Sequence, residues 1–236
     1  MSRLSPWPPG PARDERPARP FTGYKLAHAA LSADGTRAGF AGLTLGAARV
    51  YGVVADAECV WNKRHAPPRR WCGCGFYCLH DLADARSLAC ATENRPALLL
   101  EVAASGAYIR YERGLRSSRQ RIRAILDARC ACGRPGTALA DAGSGLVGWR
   151  HLAPVCAACS AGLPVLSLRE FTARLDSQVR VADPLPGPPL SAVAPAAPGV
   201  AARPADAGES PIAVLTAEIA LLHARMDDLQ SRLDRG

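Results

Sequence analysis

The stretch CVWNKRHAPPRRWCGCGFY, residues 59–77, organises the chain because it places three thiols and an imidazole within nineteen positions. Zn²⁺ prefers four soft or borderline ligands in a tetrahedron, and the loops between these side chains are short enough to close at small entropic cost. We expect the ligands to be Cys59, His65, Cys72 and Cys74. If His65 is solvated instead, Cys78 or His80 is the alternative fourth ligand.

A second set of cysteines repeats this pattern downstream. Cys130-Ala-Cys132-Gly133 and Cys156-Ala-Ala-Cys159 combine Cys-x-Cys with Cys-x-x-Cys across a 23-residue insert, a spacing similar to that of zinc ribbons. We therefore predict two Zn²⁺ ions per chain, the second held by Cys130, Cys132, Cys156 and Cys159. An Fe–S cluster also uses four cysteines and is the alternative at this second site.

The motifs favour a protein that is not an enzyme. A catalytic zinc keeps one coordination position open beside a general base, whereas each set here offers four ligands. Zinc deaminases require His-x-Glu, and none of the five histidines is followed two positions later by Glu. The Gly-Lys-Ser/Thr of a phosphate-binding loop does not occur either. We therefore predict structural metal sites and no catalytic residues.

The first motif resembles that of uncharacterised Cys-rich proteins of actinobacteria. The resemblance rests on Cys59, His65-Ala-Pro, Cys72-x-Cys74-Gly-Phe-Tyr77 and Tyr111-Glu-Arg-Gly114, and it covers about residues 22–125. Those proteins carry one more residue between the histidine and Ala-Pro. The resemblance implies an actinobacterial origin and brings no activity with it.

Charge indicates an anionic partner. The 236 residues carry a net charge of +8, and the excess of arginine lies in residues 21–181. Arginine forks suit phosphate oxygens, and neighbouring aromatic rings can stack on unpaired bases. The candidate contacts to DNA or RNA are Lys63, Arg64, Arg69, Arg70, Arg116, Arg119 and Arg123. The competing interpretation is an arginine-rich, solvated surface.

The compartment is predicted from the nine cysteines. Residues 1–20 contain no apolar signal-peptide core, and no apolar run in the sequence is long enough to span a membrane. We therefore expect a cytoplasmic protein whose cysteines bind metal instead of forming disulfides.

The hydrophobic pattern predicts an α+β, β-rich, zinc-stabilised fold. In its first part we expect a hairpin of residues 24–31 and 39–45, a strand at 49–54 and a helix at 81–89. A second hairpin is expected at 97–103 and 106–111. Further on, the pattern predicts a helix at 117–129 with Arg116, Arg119 and Arg123 on its polar face, a loop at 136–148, a strand at 149–155 and a Ser167-capped helix at 168–181.

Composition divides the chain into five segments. These are a disordered Pro/Arg-rich leader (1–20), a β-rich domain with the first zinc motif at 59–74 (21–129), a zinc-ribbon-like module plus helix (130–181), a Pro/Ala linker (182–209) and a coiled-coil helix (210–236).

The last segment carries a heptad seam formed by Ile212, Leu215, Ile219, Leu222, Met226, Leu229 and Leu233. Self-association, docking onto a partner helix and folding back onto the core are the three open outcomes for this seam.

Together these features predict a non-enzymatic, zinc-binding regulatory or binding protein that contacts nucleic acid through a basic face. The alternative is a protein-interaction adaptor that oligomerises through its C-terminal coiled coil.

Overall fold

The fold is mostly β-sheet. The structure is a computed structural model, and it describes residues 19–43, 49–59, 65–91 and 94–183. The strands in this part are β1 (Phe21–Ser32), β2 (Ala38–Ala41), β3 (Val50–Tyr51), β4 (Val54–Asp56), β5 (Phe76–Leu79), β6 (Leu98–Arg110), β7 (Gly114–Ala128), β8 (Ala138–Leu146), β9 (Trp149–Val155), β10 (Val165–Ser167) and β11 (Arg180–Val181). The helices are α1 (Leu82–Cys90) and α2 (Leu168–Ala173).

The long strands β1, β6 and β7 form the centre of the sheet. β6 pairs antiparallel with both β1 and β7, while β5 pairs with both β1 and β7, so these four strands pair in a closed cycle. β2 and β9 extend β1, β4 pairs with β7, and β11 lies parallel to β7. β8 joins β9 to β10. Residues on both sides of position 130 therefore share one sheet.

Parts of the central strands β6 and β7 are buried on both faces. Successive side chains of a strand point to opposite sides, and residues 98–100 of β6 and 124–128 of β7 are all buried. Leu98 and Ile125 belong to the main core, which also contains Phe40 and Phe171. The neighbouring positions Leu99 and Ala124 pack in a second cluster with α1. This double burial explains the apolar run at 97–103, interrupted only by Glu101, which is typical of a strand covered on both sides.

Several local predictions are confirmed. β1 and β2 form the expected hairpin, and α1 begins after Asp81, whose carboxylate accepts hydrogen bonds from the N–H groups of Ala83 and Asp84. β9 has the predicted bounds. Ser167 caps α2 in a capping box with Glu170.

Other predictions are wrong. The helix expected at 117–129 is the long strand β7, and the hairpin expected at 97–111 is the single strand β6. The loop expected at 136–148 is largely strand β8. The helix expected at 168–181 ends at Ala173, and the chain returns to the sheet as β11.

Residues 1–18 of the leader, most of the linker and the coiled-coil segment, with its seam residues 212–233, lie outside the described residues. Within the described residues, no helix is both long and apolar enough to cross a membrane.

Candidate metal centres and basic surface

Cys59, His65, Cys72 and Cys74 form one compact group, here called the first cluster. One ligand atom from each lies within 4.8 Å of the other three. His65 Nε2 is 3.3 Å from Cys74 Sγ, and Cys59 Sγ is 3.6 Å from Cys72 Sγ. Tetrahedral Zn²⁺ with Zn–S bonds of about 2.3 Å would hold two sulfurs about 3.8 Å apart. The spacing of the four side chains therefore fits a single metal ion.

The histidine in this group is His65, not His80. His80 is exposed at the end of β5, and Cys78 is buried elsewhere, against Gly23 of β1. Burial raises the pKa of the Cys78 thiol to about 11, which keeps it a neutral core residue. Among the described residues, neither of these alternatives joins the first cluster.

Strand β7 holds the two ends of the first cluster together. Cys59 follows β4, and Cys74 comes just before β5; both strands pair with β7. The backbone N–H of Ala57 also donates to the carbonyl of Ser118 in β7, over 2.7 Å. Ligands fifteen positions apart are thereby fixed by neighbouring strands of one sheet.

The buried side chain of Arg116 supports the backbone of the first cluster. Only 2% of its surface is exposed. Its guanidinium donates to the carbonyls of Cys72 and of Arg69, the latter over 3.0 Å, and to the hydroxyl of Tyr77 over 3.1 Å. The same group lies 5.3 Å from the ring centre of Tyr77 and 5.8 Å from that of Tyr111. Arg116 is therefore a structural residue, and its guanidinium does not lie on an exposed basic face.

The pKa of Cys74 indicates that the thiols of the first cluster ionise only with difficulty when no cation is bound. Burial raises the pKa of Cys74 to about 11, and the adjacent Cys72 and Cys59 add to the increase. A neutral thiol is a poor metal ligand, so a cation must displace its proton on binding. Three thiolates and one Zn²⁺ would carry a net charge of −1, which the buried Arg116 guanidinium would balance.

Cys130, Cys132, Cys156 and Cys159 form the second cluster. Their sulfur atoms also lie within 4.8 Å of one another, and Cys132 Sγ is 3.6 Å from Cys156 Sγ. Cys156 directly follows β9, and Cys130 comes two residues after β7. A backbone hydrogen bond closes each of the two cysteine turns. Gly133 N donates to Cys130 O over 2.8 Å, and Cys159 N donates to Cys156 O over 3.0 Å.

In the second cluster, the pKa values of Cys156 and Cys159 shift in opposite directions. The backbone N–H of Cys159 donates to the sulfur of Cys156 and lowers its pKa to about 6. Hydrogen bonding with Cys156 raises the pKa of Cys159 to about 12. Cys130 and Cys156 are buried, whereas Cys132 and Cys159 are exposed, so this cluster is open to solvent on one side.

The two clusters share a chemistry. Each offers four nitrogen or sulfur ligands, and no carboxylate of the described residues belongs to either group. The nine cysteines all lie in the described part of the chain, and none forms a disulfide. Either cluster can therefore hold a metal ion.

Arg119, Arg121 and Arg123 form an exposed row on β7, here called the arginine row. They alternate with the buried Gln120 and Ile122, as residues on one face of a strand do. Arg119 lies 3.4 Å from the carboxylate of Asp56, and Arg121 donates to Ser177 Oγ over 3.4 Å. The arginine row contains two of the predicted basic contacts, Arg119 and Arg123. It also contains Arg121, which the helix expected at 117–129 would not have placed on the same face.

The other predicted basic contacts are placed differently. Lys63 and Arg64 lie outside the described residues. Arg69 and Arg70 are exposed, and the Arg70 guanidinium lies 6.0 Å from the ring centre of Trp71, which is 86% exposed.

The chain matches no protein-family model, no curated protein and no solved structure. Its function must therefore follow from the two clusters and from the charge of the surface.

Proposed function

We propose that this chain is a non-enzymatic zinc protein of the cytoplasm that binds nucleic acid through the arginine row. In this proposal each cluster holds one Zn²⁺, and both ions are structural. Seven of the nine cysteines lie in the two clusters, and thiolates remain available to metal in a reducing compartment.

The ligand geometry supports zinc in preference to an Fe–S cluster. In a four-cysteine Fe–S cluster the thiolates are bound around a body of several iron and sulfide atoms. The sulfurs of Cys132 and Cys156 are only 3.6 Å apart, and all four ligands of the second cluster lie within 4.8 Å of one another. Ligands this close together converge on one ion, which is what tetrahedral zinc requires.

The observation that carries the nucleic-acid proposal is the alternation of exposed guanidinium groups along β7. Alternate residues of a strand are about 6.6 Å apart, so the row presents a regular line of positive charge. Arg123 has no ion pair with any described residue, and Arg121 is hydrogen-bonded only to the Ser177 hydroxyl there. Arg119 pairs with Asp56 over 3.4 Å, but its side chain remains 53% exposed. Exposed guanidinium groups without acidic partners are available to phosphate oxygens, which they bind as planar forks.

Native mass spectrometry of protein purified without chelator or added metal tests the zinc component. The expected result is two zinc ions per chain. Replacing His65 with Ala or Cys132 with Ser should each lower the content to one ion. A metal-free mass that is short by pairs of protons would mean disulfides and would refute the zinc proposal.

Fluorescence anisotropy with a labelled oligonucleotide, measured over a salt series, tests the binding component. Each phosphate contact to a single strand contributes about −0.7 to the slope of log K against log salt. Replacing the row with glutamine (R119Q/R121Q/R123Q) should remove about 2 from this slope. At 0.1 M salt the corresponding loss of affinity is about 100-fold.

The matched control removes the same charge elsewhere. Arg19, Arg134 and Arg150 are exposed and lie outside β7. Their triple glutamine variant should bind almost as the wild type does. Equal losses in the two triple variants would show that net charge alone drives binding, and the row would then have no special role.

A further inference from the structure

An open groove lies where β7, α2 and β11 meet. Its volume is 590 Å³, within the range of about 300–1,000 Å³ of sites that hold small organic groups. The polar lining residues are Arg121, Arg123, Arg169, Thr172, Gln178 and Arg180. Four of these are arginines, and none is acidic.

The four arginines come from three separate elements. Arg121 and Arg123 belong to the arginine row, Arg169 is in α2 and Arg180 is in β11. β11 runs parallel to β7, with Arg180 in register with Ala124, and this pairing brings its guanidinium beside the row. Two members of the arginine row, Arg121 and Arg123, therefore also line the basic groove.

Little negative charge offsets this groove. Arg180 lies 3.8 Å from Glu101, near the outer limit of an ion pair, and its side chain remains 63% exposed. Within the described part of the chain, Arg123 and Arg169 have no acidic partner. Bringing several like charges together without counter-charges disfavours the folded chain, and an anionic ligand would relieve that repulsion.

We propose that this groove binds adjacent phosphate groups of single-stranded nucleic acid. The inference rests on the proposed function and assigns the substrate class to the same surface. Thr172 and Gln178 add neutral hydrogen-bonding groups to the four guanidinium forks.

The shape of the basic surface favours a single strand. The groove is open and continues into the arginine row, so its positive charge is extended along β7, as a linear polyanion requires. Its volume suits one or two nucleotides, not the width of a duplex. Because backbone contacts carry no base information, binding through the groove depends little on sequence.

The variant R169Q/R180Q tests the groove without altering β7. The probe is an oligothymidylate of about 12 nucleotides, within the usual site sizes of single-strand binders. Loss of two phosphate contacts should reduce the salt slope by about 1.4 and weaken binding about 25-fold at 0.1 M salt. The control R134Q/R150Q removes the same charge from exposed positions outside the groove. Zinc content and thermal unfolding establish that both variants are folded.

Two further probes identify the source of the phosphate. These are a duplex of equal length and inorganic pyrophosphate. Tighter binding of the single strand than of the duplex, together with the loss in R169Q/R180Q, supports the inference. Duplex binding as tight as single-strand binding would overturn the assigned substrate class.

The remaining outcomes separate this inference from the proposed function. If the oligonucleotide binds equally well to R169Q/R180Q but poorly to R119Q/R121Q/R123Q, the groove inference is wrong and the proposed function stands. If pyrophosphate alone binds in the groove, the groove is a small-anion site, and both nucleic-acid assignments are refuted. If no probe binds, both fail.

Discussion

Replacing Arg116 with Lys should loosen the first cluster and leave the second unchanged. Arg116 is 2% exposed and donates to the Cys72 and Arg69 carbonyls and to the Tyr77 hydroxyl. Lysine retains the charge but cannot reproduce a planar fork that bridges two carbonyls. A hydrogen bond from a charged donor contributes about 1.5–3 kcal/mol. Losing one or two of them should cost about 3 kcal/mol.

That energy corresponds to roughly a 100-fold weaker zinc affinity at the first cluster, at about 1.4 kcal/mol per tenfold change. Effects of 10–100-fold are usual when a residue supporting a metal ligand is replaced. Competition with a chromophoric chelator measures the affinity of each site, and the second cluster serves as an internal reference. As a control, R113K changes an exposed arginine that pairs with Asp84. If R116K binds both zinc ions as tightly as the wild type does, Arg116 does not support the first cluster.

Two other substitutions have expected outcomes. Gly75 has φ +118°, and a Cβ there would lie 2.6 Å from Arg116 Cγ. G75A should therefore weaken zinc binding at the first cluster in the same chelator assay, whereas G73A should not, because a Cβ at Gly73 meets nothing closer than 4.0 Å. Asp176 accepts a hydrogen bond from the N–H of the buried Val53 over 2.9 Å. D176A should lower the free energy of unfolding by about 1–3 kcal/mol, measured by denaturant titration of the zinc-loaded protein. D176N retains an acceptor and should lose less; equal losses would contradict this role of Asp176.

The sequence predicted the residues of both clusters because their signals are local. Within each motif the ligands are a few positions apart, and thiols at such spacings are typical of metal sites. The support from Arg116 could not be found in this way. Its hydrogen-bond partner Cys72 is 44 positions away, and only the pairing of β5 with β7 brings the two together. Nothing in the local pattern distinguishes this arginine from its exposed neighbours.

The predicted helix at 117–129 failed because two periods coexist in that segment. Ile122, Ile125 and Leu126 recur at helical spacing, but Arg119, Arg121 and Arg123 alternate with a period of two. The strand carries both patterns because its register with β6 shifts at several points. Such irregularities change which side chains face the core. Long-range pairing with β6 outweighs the helical preference of the isolated segment.

Turn signals failed for a related reason. The Ala104-Ser105-Gly106 sequence suggested a hairpin, yet β6 passes through it. Gly106 has φ +76°, and the register with β7 shifts between Ser105 and Tyr108, so the glycine accommodates a bulge instead of a reversal. In β8 the register shifts between Asp141 and Gly145, within the Gly-rich segment that suggested a loop. Glycine in a long strand can thus mark an irregularity within continuous pairing.

Strand β7 links the two clusters to the arginine row. Near its start, Arg116 supports the first cluster, and two residues after its end the chain reaches Cys130 of the second. The arginine row lies between these two points. A strand tethered near both ends has little freedom to change register, and a register change of one residue would turn the row into the core. If each cluster binds zinc as proposed, apparent binding energies of about 10–16 kcal/mol would exceed the net stability of many domains, and the bound ions would fix the position of the arginines. The chain would thereby present a rigid line of charge without placing any basic residue among the metal ligands.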